Sequence, residues 1–526
     1  MKKLIFWGLV LGVTIPYTGK AQWYGQISYQ HDSVIHSSAN VAANVASGAN
    51  SFVMGSYRPT RQFISTNLDF AIDAVHHTNG TSTSFEYQIS GSCVKPSGLH
   101  SCVGVCIVEN SNPQNAPSEY AMVGETEDGI FFATIDAATG TRLITCSWQK
   151  MNPSVNEFKP VIKESNKAPG FFYILANDGN VFHVMMINGA TGNQLWGTTY
   201  KPTVGTIEAR DLAESKYNTS AVPFQVVVVG SYDDPNSTTG VDGFWAGINP
   251  NSGIGNMYFP TTYDYNSLEN SFTSVEGLIS LTSSGAQSYA IGGSVNDDVG
   301  GAYQMVTRLT PIGSQVWNSL ILPNATATFR SICRINERKN PNFLPPSPFE
   351  LYCVARADYN YDVTNNTPYL DDNLVVYKLD DNGDIASFPA GVPTEFHYSG
   401  LYALGLRDTY ADVTVFETGG GMSDGIQVFG TNASTPNQND IVKSYFNGVN
   451  GCNETQTNII SINQITLSQQ TITVNYTPFN LCSLNNPALC DITYINGTSN
   501  SSCMQTPPVA GGSNARPGVT TGLGKI

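Results

Sequence analysis

Carboxylates recur along this chain at polar turns between apolar runs, and they are the side chains whose type and spacing best suit chemistry. They fall as Glu125, Glu127 and Asp128; Asp178; Asp233, Asp234 and Asp242; Asp297 and Asp298; Asp358, Asp362, Asp371 and Asp372; and Asp440. Oxygen ligands of this kind favour a hard cation, and an extracellular site can hold Ca²⁺ with a dissociation constant as weak as ~10⁻⁴ to 10⁻³ M. Asp233, Asp234, Asp297, Asp298, Asp371 and Asp372 are therefore the candidate metal residues, with Ca²⁺ the expected cofactor. The competing reading is that Asp and Asn favour turns because their side chains bond the local backbone. The spacing varies and matches no complete Ca²⁺ loop, so turn chemistry alone accounts for much of the pattern.

Other motifs give less. The loop GGGMSDG at 419–425 lacks a following Lys and precedes a strand rather than a helix, which suits a flexible loop better than a phosphate cradle. His76 and His77 are neighbours beside a turn, and adjacent residues of a strand point to opposite faces, so they do not share a metal. There is no G-x-S-x-G elbow, H-E-x-x-H helix or repeated Asp-box, and no catalytic residue is assigned. A formal charge of -16, with only 25 Lys and Arg scattered along the chain, argues against a nucleic-acid partner, because phosphate binding needs clustered cations.

The first 21 residues read as a signal peptide: Lys2 and Lys3, an apolar segment, then the small residues Gly19 and Ala21. The apolar run is shorter than the roughly 20 residues that cross a bilayer. Export to the extracellular space, cell surface or periplasm is thus expected, with a partner that is an extracellular glycan or protein and no integral membrane segment. Ten cysteines in an exported chain predict disulfides. Cys333 and Cys353 lie on two neighbouring strands, Cys106 and Cys146 flank one repeat, Cys93 and Cys102 suit a small loop, and Cys452, Cys482, Cys490 and Cys503 cluster near the C-terminus with three possible connectivities.

These residues hang on a repeat. The stretch NVFHVMMINGATGNQLW at 180–196 is an apolar run, a turn ending in Gly, and a second apolar run, the pattern of two strands and a tight turn. With six weaker copies it places turn glycines at 80, 140, 192, 253, 313, 383 and 448. Before each lies an apolar strand ending in a small residue, as in FQVVVVG at 224–230, and in most units a further strand upstream, as in GVCIVE (104–109), KPVIKE (159–164), EGLISL (276–281) and RSICRI (330–335). Four strands per unit and seven units predict an all-β fold: a seven-bladed β-propeller over 22–450. A small disulfide-stabilised C-terminal β appendage over 451–503 and a disordered tail over 504–526 follow. A row of β-sandwiches is the alternative, but it needs closer to ~100 residues per unit.

The segments IDAATG (135–140) and INGATGNQLW (187–196) resemble the repeats of pyrroloquinoline-quinone-type propellers, in which an apolar strand ends in Asp-x-x-Thr-Gly and a Trp follows. The wider pattern is similar to secreted bacterial β-propeller repeat proteins. Only one or two units carry the full signature, and no cofactor-stacking Trp or acidic base of such enzymes is matched; Trp196 and Trp317 read as packing residues. The expected function is a secreted or cell-surface binding scaffold for a glycan or protein, without catalysis. The alternatives are a quinone-dependent oxidoreductase, a polysaccharide-active propeller enzyme and a structural surface protein.

Overall fold

The computed structural model describes residues 103–126, 129–149, 159–216, 226–236, 240–250, 255–279, 287–296, 302–322, 327–339, 349–359, 371–385 and 461–479, together with further strands named below. Antiparallel strands dominate, and the apolar runs explain them. Val226–Asp233 and Val241–Asn249 are buried over almost their whole length, as expected where both faces of a sheet are covered. Among the described residues no helix is long and apolar enough to cross a membrane.

Each sheet is built from consecutive strands. One such set is Thr206–Glu214, Val226–Asp233, Val241–Asn249 and Asn256–Asp264; the next is Glu269–Gly277, Tyr289–Asn296, Ala302–Leu309 and Gln315–Leu322. The first strand of every sheet packs on that of the next, and Val41–Ala43 of the first sheet packs on Asp408–Phe416 of the last, which closes the ring into a β-propeller. The last sheet takes its fourth strand, Trp23–Ser28, from the N-terminal region, which pairs with Gln438–Ser444. Side chains latch successive sheets on their outer side. Tyr87 Oη donates to Gly140 O at 2.6 Å, Tyr263 Oη to Gly313 O at 2.6 Å, Ser319 Oγ to Gly383 O at 2.6 Å, and Tyr200 Oη to Gly255 O.

The C-terminal region forms no separate appendage. It runs backwards round the ring and adds an outer strand to sheet after sheet. Glu454–Thr457 pairs with Glu395–Tyr398, Ser461–Gln464 with Gln315–Leu322, Ser468–Thr471 with Asn256–Asp264 and Val474–Pro478 with Gln194–Pro202. Asp491–Tyr494 and Ser499–Asn500 then join Ser82–Ser90, and Cys503–Met504 joins Trp23–Ser28. The step is seven residues: the N–H groups of Ile465, Ile472 and Phe479 donate to Asn318 O, Pro260 O and Gly197 O at 3.0, 3.0 and 2.9 Å.

The expectation of seven uniform four-stranded blades with an appendage is therefore corrected. Five sheets are five-stranded blades, one further sheet has six strands, and the sheet of Val103–Asn110, Glu119–Thr126, Gly129–Asp136 and Arg142–Gln149 has four. The physical reason is that edge strands leave N–H and C=O groups unpaired, and the polar C-terminal strands satisfy them. Two of the expected cysteine pairs, Cys333 with Cys353 and Cys106 with Cys146, are not made: Cys106 and Cys353 are buried thiols outside any disulfide. Cys353 sits in the buried run Leu351–Ala355 of the strand Phe349–Tyr359, and burial raises its thiol pKa. Cys146 is disulfide-bonded, but not to Cys106. Cys93, Cys102, Cys452, Cys482 and Cys490 lie outside the described residues, as do the side chains of Cys333 and Cys503, the signal segment and the tail beyond 504. The strand expected as EGLISL is also displaced, to Glu269–Gly277.

Candidate functional site at the propeller axis

The first strands line the axis, and most are bulged at one level. Register shifts occur between Val103 and Cys106, Ala209 and Asp211, Phe272 and Ser274, Ile332 and Arg334, and Asp408 and Ala411. A bulge bends its strand and re-aims side chains. It also explains the small residue ending the second strand. A Cβ at Gly230 would lie 2.0 Å from Glu208 O, and one at Gly293 2.0 Å from Ser271 O.

Asp211 follows one such bulge and is reached from four successive sheets. It is fully buried on its own first strand. Its Oδ2 accepts from Val275 N at 3.0 Å and from Arg334 Nη1 at 2.6 Å, while Lys163 Nζ stands 3.8 Å from Oδ1. Leu212 N donates to Oδ1 at 2.9 Å. Burial alone would raise the carboxyl pKa, but Arg334, Lys163 and the Val275 N–H outweigh it and hold the group below the ordinary carboxylate value. Nearby, Glu208 pairs with Lys159 and Arg210, each at 2.6 Å. All three are a third or more exposed, so those pairs contribute little stability.

At the other end of the first strands a set of glutamates recurs that the repeat pattern had not singled out. Glu164, Glu214 and Glu337 stand opposite Phe172, Val226 and Leu351 in the same register, and each accepts a backbone N–H from the preceding sheet. The donors are Ser111 at 2.9 Å, Asn166, and Ile279 at 2.6 Å. Lys216 Nζ bridges Glu276 at 2.6 Å and Glu337 at 3.5 Å. Glu214 also accepts from Ser165 Oγ at 3.1 Å and Tyr173 Oη at 3.0 Å, yet burial leaves its pKa raised. These carboxylates fasten sheet to sheet. The sequence signal was present, a Glu closing VCIVE, VIKE, DLAE and RINE. In the loop that follows the first of these, buried Glu119 accepts from Asn110 Nδ2 at 2.9 Å and from the N–H groups of Gln114, Asn115 and Ala116.

Of the candidate metal residues, Asp233 and Asp234 lie on the rim opposite those glutamates, where the second strand Val226–Asp233 ends. Asp233 is exposed, and Asp234 Oδ1 is occupied by Asn236 N at 2.9 Å. Asp297 and Asp298 lie outside the described residues, and Asp371 and Asp372 pair in register with Tyr359 and Asp358, their side chains also outside. Among the described residues no group of three or more His, Cys, Asp or Glu side chains is arranged to hold a metal. Asp242 feels two other carboxylates of this rim, Asp264 and Asp234. Its Oδ1 is buried without a hydrogen-bond partner, and burial, Asp264 and Asp234 together push its pKa up to about 6. Trp196 and Trp317 pack on turn glycines of the next sheet, Gly255 and Gly383, and Trp317 Nε1 donates to Asp381 O at 2.9 Å.

No family model and no curated protein matches the chain. Among solved structures it is similar to the Dos1 propeller, at 10% identity over 80% of this chain and 95% of that one with a TM-score of 0.42. The pyrroloquinoline-quinone domain of pyranose dehydrogenase from Coprinopsis cinerea is similar at 10% identity, with the same coverages and a TM-score of 0.28. Likenesses at that level carry no argument about activity. What places the chain is its own strand order: it is a β-propeller built from repeats, closed by an N-terminal strand and girdled by its C-terminal region.

Proposed function

We propose that this chain is an exported binding scaffold whose ligand is an extracellular glycan or protein. The observation that carries the reading is the axis itself, where Lys163, Asp211, Val275 and Arg334 converge from four sheets of a closed, rigid ring. Recognition groups held by a rigid scaffold bind without first paying the entropy of ordering themselves. Ordered loops such as 111–118, fastened to Glu119, supply a polar rim on one face. In the same reading the chain is released after residue 21, and Ca²⁺ on the turn carboxylates supports the opposite rim. The test is a binding panel of immobilised glycans and surface proteins, run beside dye-linked oxidation assays with added quinone and Ca²⁺ and beside glycan-degradation assays. Saturable binding without turnover supports the scaffold; reproducible turnover overturns it.

A further inference from the structure

Two acceptor oxygens at the rim are buried with no donor to meet them. Asp242 lies at the start of the third strand Val241–Asn249 and is 9% exposed; Asn270 lies at the start of the next sheet's first strand, Glu269–Gly277, and is 1% exposed. Oδ1 of each is buried without a hydrogen-bond partner. An unsatisfied buried acceptor is costly, and a bound ion or water is one reason such a group persists.

The fold brings the two to one place. Asp242 and Asp264 flank the end rung between their strands, Gly243 opposite Tyr263. The next sheet packs over this end: a Cβ on Gly243 would lie 2.9 Å from the Phe272 ring, and one on Gly240 2.9 Å from Glu269 Cγ. Asn270 and Phe272 are two residues apart on a regularly paired stretch of strand, so they share its buried face, and Asn270 is turned toward the same sheet as Phe272. Its Nδ2 donates to Asp264 Oδ1 at 3.2 Å and to Leu268 O at 2.6 Å. Exchanging the two ends of the amide would set oxygen against both acceptors, so these bonds fix Oδ1 as the unpaired end.

Charge points the same way. Asp264 and Asp234 both act on Asp242, and among the described residues none of the three carboxylates has a Lys, Arg or His within ion-pair distance. Asp234, whose Oδ1 is taken by Asn236 N, adds field rather than a ligand. Asp264 accepts only long bonds besides that from Asn270: Oδ2 from Ser267 N at 3.2 Å and from Ser468 Oγ at 3.3 Å. Each carboxylate oxygen has two lone pairs, so Asp264 keeps acceptor capacity. Two carboxylates and an amide oxygen without a fixed counter-charge are a donor set for a hard cation, and Ca²⁺ tolerates irregular geometry where Mg²⁺ demands an octahedron.

We propose that Asp242, Asp264 and the Asn270 amide oxygen together hold one Ca²⁺ at the boundary between two sheets, with water completing its shell. The proposal rests on the calcium part of the binding reading and names the ligands; it does not depend on what the scaffold binds. The ion fastens the two sheets at this rim, as the glutamates do at the opposite one.

The experiment is isothermal titration of CaCl₂, and separately of MgCl₂, into the full chain stripped of metal at pH 7.5. The wild type is compared with Asp242→Asn, Asn270→Asp and, as a control on the same rim, Asp233→Asn. Thermal unfolding in chelator checks that each variant folds. The expected result is Ca²⁺ binding at ~10⁻⁴ to 10⁻³ M, weaker Mg²⁺ binding, and a melting temperature that rises with Ca²⁺. Asp242→Asn should lose about tenfold or more in affinity, and Asp233→Asn should bind like the wild type. Asn270→Asp keeps an oxygen ligand and adds a charge, so it should bind Ca²⁺ more tightly, an outcome that a purely structural role for Asn270 does not give. Asp242→Asn binding like the wild type, or Asn270→Asp binding no more tightly, overturns this seat. Loss of binding in Asp233→Asn alone moves the ion to the exposed turn carboxylates and leaves the calcium reading in place. No binding at millimolar Ca²⁺ overturns both and leaves a water or a proton to satisfy the two oxygens.

Discussion

Replacing Asp242 by Asn should stabilise this protein at neutral pH. The wild-type carboxyl is pushed from 3.8 to about 6 by burial and by Asp264 and Asp234, and its Oδ1 has no hydrogen-bond partner. Because the folded-state pKa lies above the unfolded one, the folded protein holds the proton more tightly. That contribution is fully present below about pH 4 and is lost as pH rises through about 6. A shift of roughly two units corresponds to at most ~3 kcal/mol, and solvent at this rim turn screens it to ~1–2 kcal/mol. Asn is neutral at every pH and can donate to Asp234 or Asp264, so the variant escapes the penalty. Thermal unfolding in chelator at pH 7.5 should show Asp242→Asn melting a few degrees higher than wild type, with the gap closing by pH 4. A variant that melts no higher at pH 7.5 refutes the reasoning. Repeating the scan in millimolar Ca²⁺ tests the cation proposal on the same cluster: a metal that prefers the folded state raises the wild-type melting temperature and leaves the variant unmoved.

Arg334→Met should cost about 3–5 kcal/mol by stranding the buried Asp211 carboxylate; urea unfolding at pH 7 measures it, and a cost under about 1 kcal/mol counts against the axial ion cluster as a fastening. Gly230→Ala should destabilise by several kcal/mol, since the new methyl would meet Glu208 O at 2.0 Å beside the bulge; an unchanged denaturation midpoint would contradict that geometry. Phe479→Ala should loosen the C-terminal strands first. Phe479 packs against His183 at 5.2 Å between ring centroids, and its carbonyl accepts from Gln194 Nε2 at 2.8 Å. Hydrogen exchange should rise over 468–478 before it rises in the second and third strands, whereas uniform protection would show that the outer strands do not depend on this anchor.

What was legible in the sequence was local. The second and third strands announce themselves by apolar runs such as Val226–Val229, and the turns by glycines at 140, 192, 313 and 383, all of which adopt the left-handed φ that Gly tolerates. The small residue ending each second strand was also visible, but its reason was not, because the bulge it faces belongs to another strand. The outer strands escaped for a different cause. Ser468–Thr471 is polar and wholly exposed, so no periodicity marks it; its stability comes from backbone bonds to Asn256–Asp264, some two hundred residues earlier. Only the seven-residue spacing of Ile465, Ile472 and Phe479 hints at a segment stepping from sheet to sheet.

The same distinction governs the site. A carboxylate in a turn is conspicuous in sequence, which drew attention to the rim aspartates, where burial, reinforced by Asp264 and Asp234, raises the pKa of Asp242. Asp211 and Arg334 are 123 residues apart, each inside an unremarkable strand, and nothing in either stretch advertises the other. Closing the ring brings them together, and it does so by placing every first strand at the axis. In a repeat fold of this kind the elements are written locally, but the chemistry arises where different repeats meet, at the bulged level of the first strands.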